Sequence, residues 1–263
     1  MSVIELAESM ARGAGDLLVA HYGSLRRIDA DRKRGLRRDL VSRADIEAEE
    51  YLIGRIPEAD DVLAEEGHDR DLGAARKWVV DPLDGTVNFL HGLPFWCVSI
   101  GVVEAGVLTA GVVHAPALAQ TFVAEAGKGC RLNGERVHVS ATSELAEAIL
   151  ATGFSYQRNQ VPDHNFDNFE TLGMAAAGVR RMGAAALDLA YVACGRLDGF
   201  WELHLSAWDV AAGTLLIREA GGQVTDFAGS EDLDRVLFNC NIVAGNPELS
   251  AAIRARLHPL RGL

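Results

Sequence analysis

The sequence predicts an α/β protein of the α+β type, built as two packed subdomains, residues 1–140 and 141–263, in one compact unit. Three observations predict it. The stretch from 97 to 124 is β-rich: "CVSIGVVEAGVLTAGVVHAP" and then "QTFVAEAG" are short runs of β-branched and small apolar residues broken by turn formers. After about residue 141, helical and strand-like segments alternate. An antiparallel first half followed by alternating α and β suits packed α/β layers. Finally, 263 residues at 49% hydrophobic content support a substantial core, in one large domain or two modest ones.

Each element can be read in order. Residues 3–22 carry Val3, Leu6, Ala7, Met10, Ala14, Leu17 and Leu18 at helical spacing. "DLVSRADIEAEEYLIGRI" (39–56) leads into a second helix with Ile46, Leu52, Ile53 and Ile56 on one face. There Asp45 can close a capping box with Ser42. "DVLAEEG" (61–67) predicts a short strand ending in Glu65-Glu66, and "KWVVD" a buried strand ending at Asp81. "CRLNGERVHVS" predicts a hairpin turning at Asn133-Gly134. Beyond 141, "ATSELAEAILATGF" predicts a helix or turn feeding a strand, and "NFDNFETLGMAAAG" and "GAAALDLAYVACG" predict helices. "LDGFWEL" predicts a strand, and "AWDVAAGTLLIREAGG" a helix closed by its Gly pair. "QVTDF" and "NIVAG" predict short strands.

The net charge of −12 argues against a nucleic-acid partner, whose phosphates demand clustered Lys and Arg. One basic cluster exists: seven of the 25 basic residues fall within 26–38. It reads either as a solvated loop or as a flap that meets a small anion. Cys97, Cys130, Cys194 and Cys240 are far apart in sequence and form no CxxC, as expected of small buried thiols in a reduced cytoplasmic protein. No leader is visible, and no window approaches the ~20 apolar residues of a membrane span.

Acids recur at the ends of apolar runs: Glu65 and Glu66, Asp81 and Asp84, and Asp209 at a helix start. Such carboxylates are costly unless a cation answers them. Five acids with no His or Cys beside them favour a hard ion, Mg²⁺ or Mn²⁺. The plainer reading of any single acid is a cap or surface ion pair, and Asp209 before Val210 suits a helix cap. "DPLDGT" (81–86) is harder to read plainly. Pro82 cannot donate to a ladder and is expected to end the strand, turning the Leu83 carbonyl outward beside both aspartates. Gly85 permits close backbone approach, and Thr86 opens a short helix whose first amides suit a phosphate.

These residues resemble the inositol monophosphatase family. Asp81-Pro82-Leu83-Asp84-Gly85-Thr86, followed by Asn88-Phe89 and His91, resembles its first signature. Trp208-Asp209-Val210-Ala211-Ala212-Gly213, running to Glu219-Ala220-Gly221-Gly222, resembles its second. Glu65-Glu66 and Asp39-Leu40-Val41-Ser42 with Asp45 match two further elements, in the family's order, over roughly residues 3–255. The resemblance implies a layered α/β/α/β/α sandwich, as in fructose-1,6-bisphosphatase, usually a homodimer, with lithium-sensitive phosphatase activity. It implies two or three Mg²⁺ ions, with Mn²⁺ as a possible substitute. Glu65, Asp81 and the Leu83 carbonyl would hold one ion, and Asp81, Asp84 and Asp209 another. Thr86, bonded to Asp45, would orient the attacking water, and Glu65, also counted among the catalytic residues, would face a weaker third ion through water. The Gly85 and Thr86 amides would hold the phosphate. Asp84, Gly183, Ala184, Ala185, Glu202, His204 and Arg34 would face the substrate.

Three departures bear on specificity. Arg34 stands where the family usually has Lys, Ala184 replaces a Ser or Thr, and His204 takes a common Gly position. On a strand His204 would share a face with Glu202. The expected activity is therefore hydrolysis of inositol 1-phosphate or a similar small polyol phosphate. Histidinol phosphate and fructose 1,6-bisphosphate stay open as alternatives. Val87-Asn88-Phe89 argues against 3′-phosphoadenosine 5′-phosphate, whose phosphatases usually carry Lys-Glu-Phe there. The remaining alternative is an inactive homologue with a regulatory or binding role.

Overall fold

The computed structural model describes residues 1–25, 30–32, 40–239 and 241–261. The first part of the chain forms α1 (Val3–His21), β1 (Asp31–Arg32), β2 (Leu40–Val41), α2 (Arg43–Ile53), β3 (Asp61–Ala64), β4 (Arg76–Asp84), α3 (Thr86–Leu90), β5 (Cys97–Glu104), β6 (Val107–Ala115), β7 (Gln120–Glu125), β8 (Gly129–Leu132) and β9 (Glu135–Val137). The rest forms β10 (Ile149–Thr152), α4 (Phe166–Ala175), β11 (Gly178–Arg180), α5 (Ala185–Ala193), β12 (Gly199–Leu203), α6 (Ala207–Glu219), β13 (Gln223–Thr225), α7 (Leu233–Phe238), β14 (Asn241–Gly245) and α8 (Pro247–Arg254).

Strands β3 to β9 lie side by side in chain order as a seven-stranded sheet, antiparallel except for the parallel β3–β4 pair. The second sheet runs β11-β10-β12-β14-β13 and mixes parallel and antiparallel pairs. Side-chain alternation then builds the layers. Trp78 and Val80 of β4 pack toward α1 and α2, while Val79 between them packs toward α5 and α6. In β12, Phe200 joins that same inner layer and Trp201 turns to α4 and α8. The outcome is the expected α/β/α/β/α sandwich. A strand with helices on both faces must be apolar on both, which explains the continuous burial of Cys97–Val102.

The inner layer is tight. A Cβ at Gly101 of β5 would lie 2.7 Å from the Ala211 Cβ on α6, and one at Gly111 of β6 would lie 3.0 Å from the Ala212 carbonyl. Filling such a contact typically costs about 1–3 kcal/mol. Asn133 and Gly134 both take left-handed conformations, as the predicted hairpin turn requires.

Two expectations need correction. Ile46 is 42% exposed. The buried face of α2 is instead Ala44, Asp45, Ala48, Glu49 and Leu52. Two acids take that face because Asp45 accepts from Thr86 Oγ1 and Glu49 from Glu66 N–H. Nor does the strand stop at Asp81: β4 stays paired with β5 through Asp84↔Cys97, across a register shift between Asp81 and Asp84. Pro82 falls inside this irregularity, where its missing N–H costs no regular ladder bond.

Candidate active site

Three carboxylates converge where the first sheet meets α6. Asp81 and Asp84 come from the irregular end of β4 and Asp209 from the first turn of α6; one oxygen of each lies within 4.8 Å of the others. Backbone donors aim them. Leu83 N–H donates to Asp81 Oδ1 at 2.9 Å. Ala186 N–H donates to Asp84 Oδ2 at 2.7 Å, so Asp84 sits on the amino end of α5 and ties it to β4. Ser206 N–H donates to Asp209 Oδ2 at 2.7 Å. Asp209 is therefore not the helix cap: Ser206 is, and Asp209 closes its capping box three residues on. A carboxylate has two oxygens and about four lone-pair sites, so these bonds leave room for a metal ion.

The electrostatics ask for one. Burial pushes Asp81 well above the usual carboxylate range, reinforced by Glu65, Asp84 and Asp209. Asp209 is pushed up by burial and by Asp84 and Glu65. Asp84 rises to about 6 through burial, opposed by the α5 amides. All-oxygen donors, crowded like charges and low exposure fit a hard divalent cation. Glu65 follows β3, partly exposed, and its charge acts on all three aspartates.

Beside this cluster lies a Thr–Asp pair. Thr86 Oγ1 donates to Asp45 Oδ1 at 2.9 Å and lies 3.2 Å from the Leu83 carbonyl. Asp45 Oδ2 accepts from Ser42 N–H at 2.9 Å and Ser42 Oγ at 2.6 Å, which realises the predicted capping box. Burial raises Asp45 to about 6 despite these bonds. Gly85 has φ +94, and a Cβ there would lie 3.0 Å from the Phe95 carbonyl and 3.2 Å from the Ala184 Cβ. Glycine is thus required on both counts.

A cleft of 310 Å³ opens from the cluster; Asp84, Asp209, Gly183, Ala184, Ala185 and Glu202 all line it. Burial lifts Glu202 to about 8, against the pull of Arg181. His204 lines it too, although not for the expected reason. The strand ends at Leu203, and His204 takes φ +64 with Nε2 2.8 Å from the Asp163 carbonyl oxygen. Arg34 and Cys240 lie outside the described residues, as does most of the basic cluster. Cys97 and Cys130 are buried free thiols, but Cys194 is partly exposed.

Several contributors escape sequence reasoning. Asn88 Nδ2 donates to the carbonyls of Phe95 at 2.7 Å and Met182 at 2.9 Å, fixing α3 against the Gly183 segment. Residues 152–157 supply one side of the cleft. Fully buried Glu49 accepts from Glu66 N–H at 2.7 Å and lies 2.6 Å from His68 Nδ1, which fixes the loop that carries Glu65. Its only sequence signal was an acid one turn after Asp45. Glu49→Gln should weaken magnesium affinity by about 10-fold, read by titrating activity against Mg²⁺. An unchanged titration would show that this loop does not shape the site.

The inositol monophosphatase family model matches residues 1–260. The "Nus factor SuhB" of Pseudomonas aeruginosa is 41% identical, over 98% of this chain and 96% of that protein. The "Inositol-1-monophosphatase" of Mesorhizobium japonicum is 37% identical, over 96% and 94%. Among solved structures, the inositol monophosphatase of an Anabaena (Nostoc) species superposes with a TM-score of 0.84 at 36% identity, covering 96% of this chain and 94% of that one.

Proposed function

The chain belongs to the inositol monophosphatase family, and on that premise we propose that it hydrolyses inositol 1-phosphate, or a similar small polyol phosphate, with Mg²⁺. It is a phosphomonoesterase acting on small phosphate esters. The observation that carries the substrate proposal is the cleft leading from three convergent aspartates to Glu202. Its 310 Å³ is near the lower bound of ~300–1,000 Å³ for small-molecule sites, which suits a single ring.

Asp81, Asp84 and Asp209, with Glu65 and the Leu83 carbonyl, would hold two or three ions. When bound, Mg²⁺ supplies positive charge that acidifies water and neutralises the phosphate; Mn²⁺ has the same oxygen preference. Thr86 spends its single proton on Asp45, so its lone pairs are free to accept from the attacking water and orient it. The Gly85 and Thr86 amides at the start of α3 bind phosphate oxygens. Gly183, Ala184 and Ala185 form the side against which the alcohol rests, and Glu202 accepts one of its hydroxyls. His204, tied to the Asp163 carbonyl, borders the same space. Arg34, which the resemblance assigns to substrate binding, lies outside the described residues. A cytoplasmic, lithium-sensitive homodimer completes the proposal.

Phosphate release from inositol 1-phosphate, histidinol phosphate and fructose 1,6-bisphosphate tests the assignment. The highest kcat/KM is expected for inositol 1-phosphate; a lead for histidinol phosphate would overturn it, and no release from any would favour the inactive reading. A second role as a Nus factor is favoured by the 41% identity to a protein of that name. Co-purification of transcription proteins with the tagged chain would support it, and their absence would count against it.

Magnesium should raise the melting temperature of the metal-free protein, more at about pH 7.5 than at about pH 5. Asp45 and Asp84 are raised from the usual 3.8 to about 6. Raised acids favour the metal-free fold while protonated, and that contribution fades as pH rises from 3.8 through about 6. An ion at the cluster must displace the Asp84 proton, so its effect grows over that window. Differential scanning fluorimetry with and without Mg²⁺ reads both trends; equal shifts at both pH values would refute the coupling.

A further inference from the structure

The wall of the cleft carries an acid for which neither the metal cluster nor the Thr86–Asp45 pair has a use. Asp188 lies in the first turn of α5 and is the single charged residue in its run "AALDLAYVA". It is 1% exposed, yet it lines the cleft. Its Oδ1 has no hydrogen-bond partner among the described residues. Buried polar atoms are almost always satisfied, and an orphan on a cavity wall is explained when a ligand completes it.

The neighbouring groups say what kind of ligand. Glu202 lines the same cleft, its carboxyl pressed so close to Gly153 that a Cβ there would strike it. The Arg181 guanidinium lies over Gly183, and its charge acts on both Asp188 and Glu202. Two carboxyls against one guanidinium leave an excess of acceptors. Such a wall suits the hydroxyls of a polyol. We propose that Asp188 is a specificity-determining residue that accepts a hydrogen bond from a hydroxyl of the departing polyol, while Glu202 takes a second hydroxyl. This rests on the phosphomonoesterase reading of the same site.

The test compares Asp188→Leu, Asp188→Asn and the wild type on inositol 1-phosphate and on phenyl phosphate, whose leaving group has no further hydroxyl. Asp188→Leu should lower kcat/KM for inositol 1-phosphate by at least about 10-fold more than for phenyl phosphate, mostly through KM. Asp188→Asn, which keeps an acceptor, should recover part of the loss. Thermal melts of the metal-free proteins supply a readout independent of turnover. Replacing an unpartnered buried acid by an apolar residue of similar size should hold or raise the melting temperature. Equal losses on both esters, or a lower melting temperature for both variants, would mark Asp188 as structural and overturn the proposal. Inactivity of the wild type on every ester would instead be the failure of the phosphatase reading, which the wild-type arm detects by itself.

Discussion

Asp84→Asn is expected to reduce kcat/KM by about 10³-fold or more while the protein stays folded. Two features of Asp84 make the effect large. Its carboxylate is one of the three that converge within 4.8 Å, so under the proposed metal site the amide would put a neutral group where a charged ligand is needed. It also sits on the amino end of α5, which connects the metal cluster to the wall of the cleft. The amide oxygen of Asn can still accept from Ala186 N–H, so α5 keeps its anchor. Removing one of several crowded like charges should also hold or raise the melting temperature without metal. Activity against Mg²⁺ concentration and a thermal melt together decide the case. Near wild-type turnover would exclude Asp84 as a ligand, whereas an unfolded variant would show its bond to α5 to be structural first.

Thr86→Ala should cost about 10²–10³-fold in kcat, comparable with losing one well-aimed catalytic hydrogen bond. The hydroxyl donates to Asp45 Oδ1 at 2.9 Å, and in the proposed mechanism its lone pairs orient the attacking water. Without it, Asp45 Oδ1 keeps its burial and loses that donor, which should also destabilise the fold by about 1–3 kcal/mol. Thr86→Ser keeps the hydroxyl and should retain most activity. Asp45→Asn should lower activity through the same pair, and combining it with Thr86→Ala should cost little more than either change alone, because residues acting as a unit are non-additive. Steady-state kinetics on the four variants test this. Multiplicative losses in the double variant would show that the two residues act separately.

Much of this architecture was legible locally. Helix α1, the β-rich centre and the Asn133-Gly134 hairpin follow from periodicity and turn chemistry, which depend on near neighbours in the chain. The acid-rich segments were legible too, since carboxylates at the ends of apolar runs contradict simple burial. Local pattern misleads where one residue obeys two demands. On α2, hydrophobicity alone buries Ile46, yet Asp45 and Glu49 take the inner face because Thr86 and the loop after β3 need them there. At β4, Pro82 argued for a stop, yet the ladder resumes at Asp84. At His204 strand alternation no longer applies, because β12 ends at Leu203 and His204 turns to φ +64.

The sequence by itself determined most helical and strand segments and the short list of acids, and its motifs the resemblance that implied the family and its layers, because periodicity and motif spacing are properties of the chain. Only the tertiary structure decided which acids meet. Asp84 and Asp209 are joined across more than a hundred residues by the packing of α6 against the first sheet, and Asp188 becomes a pocket residue only because α5 presents its first turn to the cleft. Convergence of distant side chains depends on which faces pack together. That choice is made by the summed burial of many apolar contacts, and no local stretch of sequence carries it.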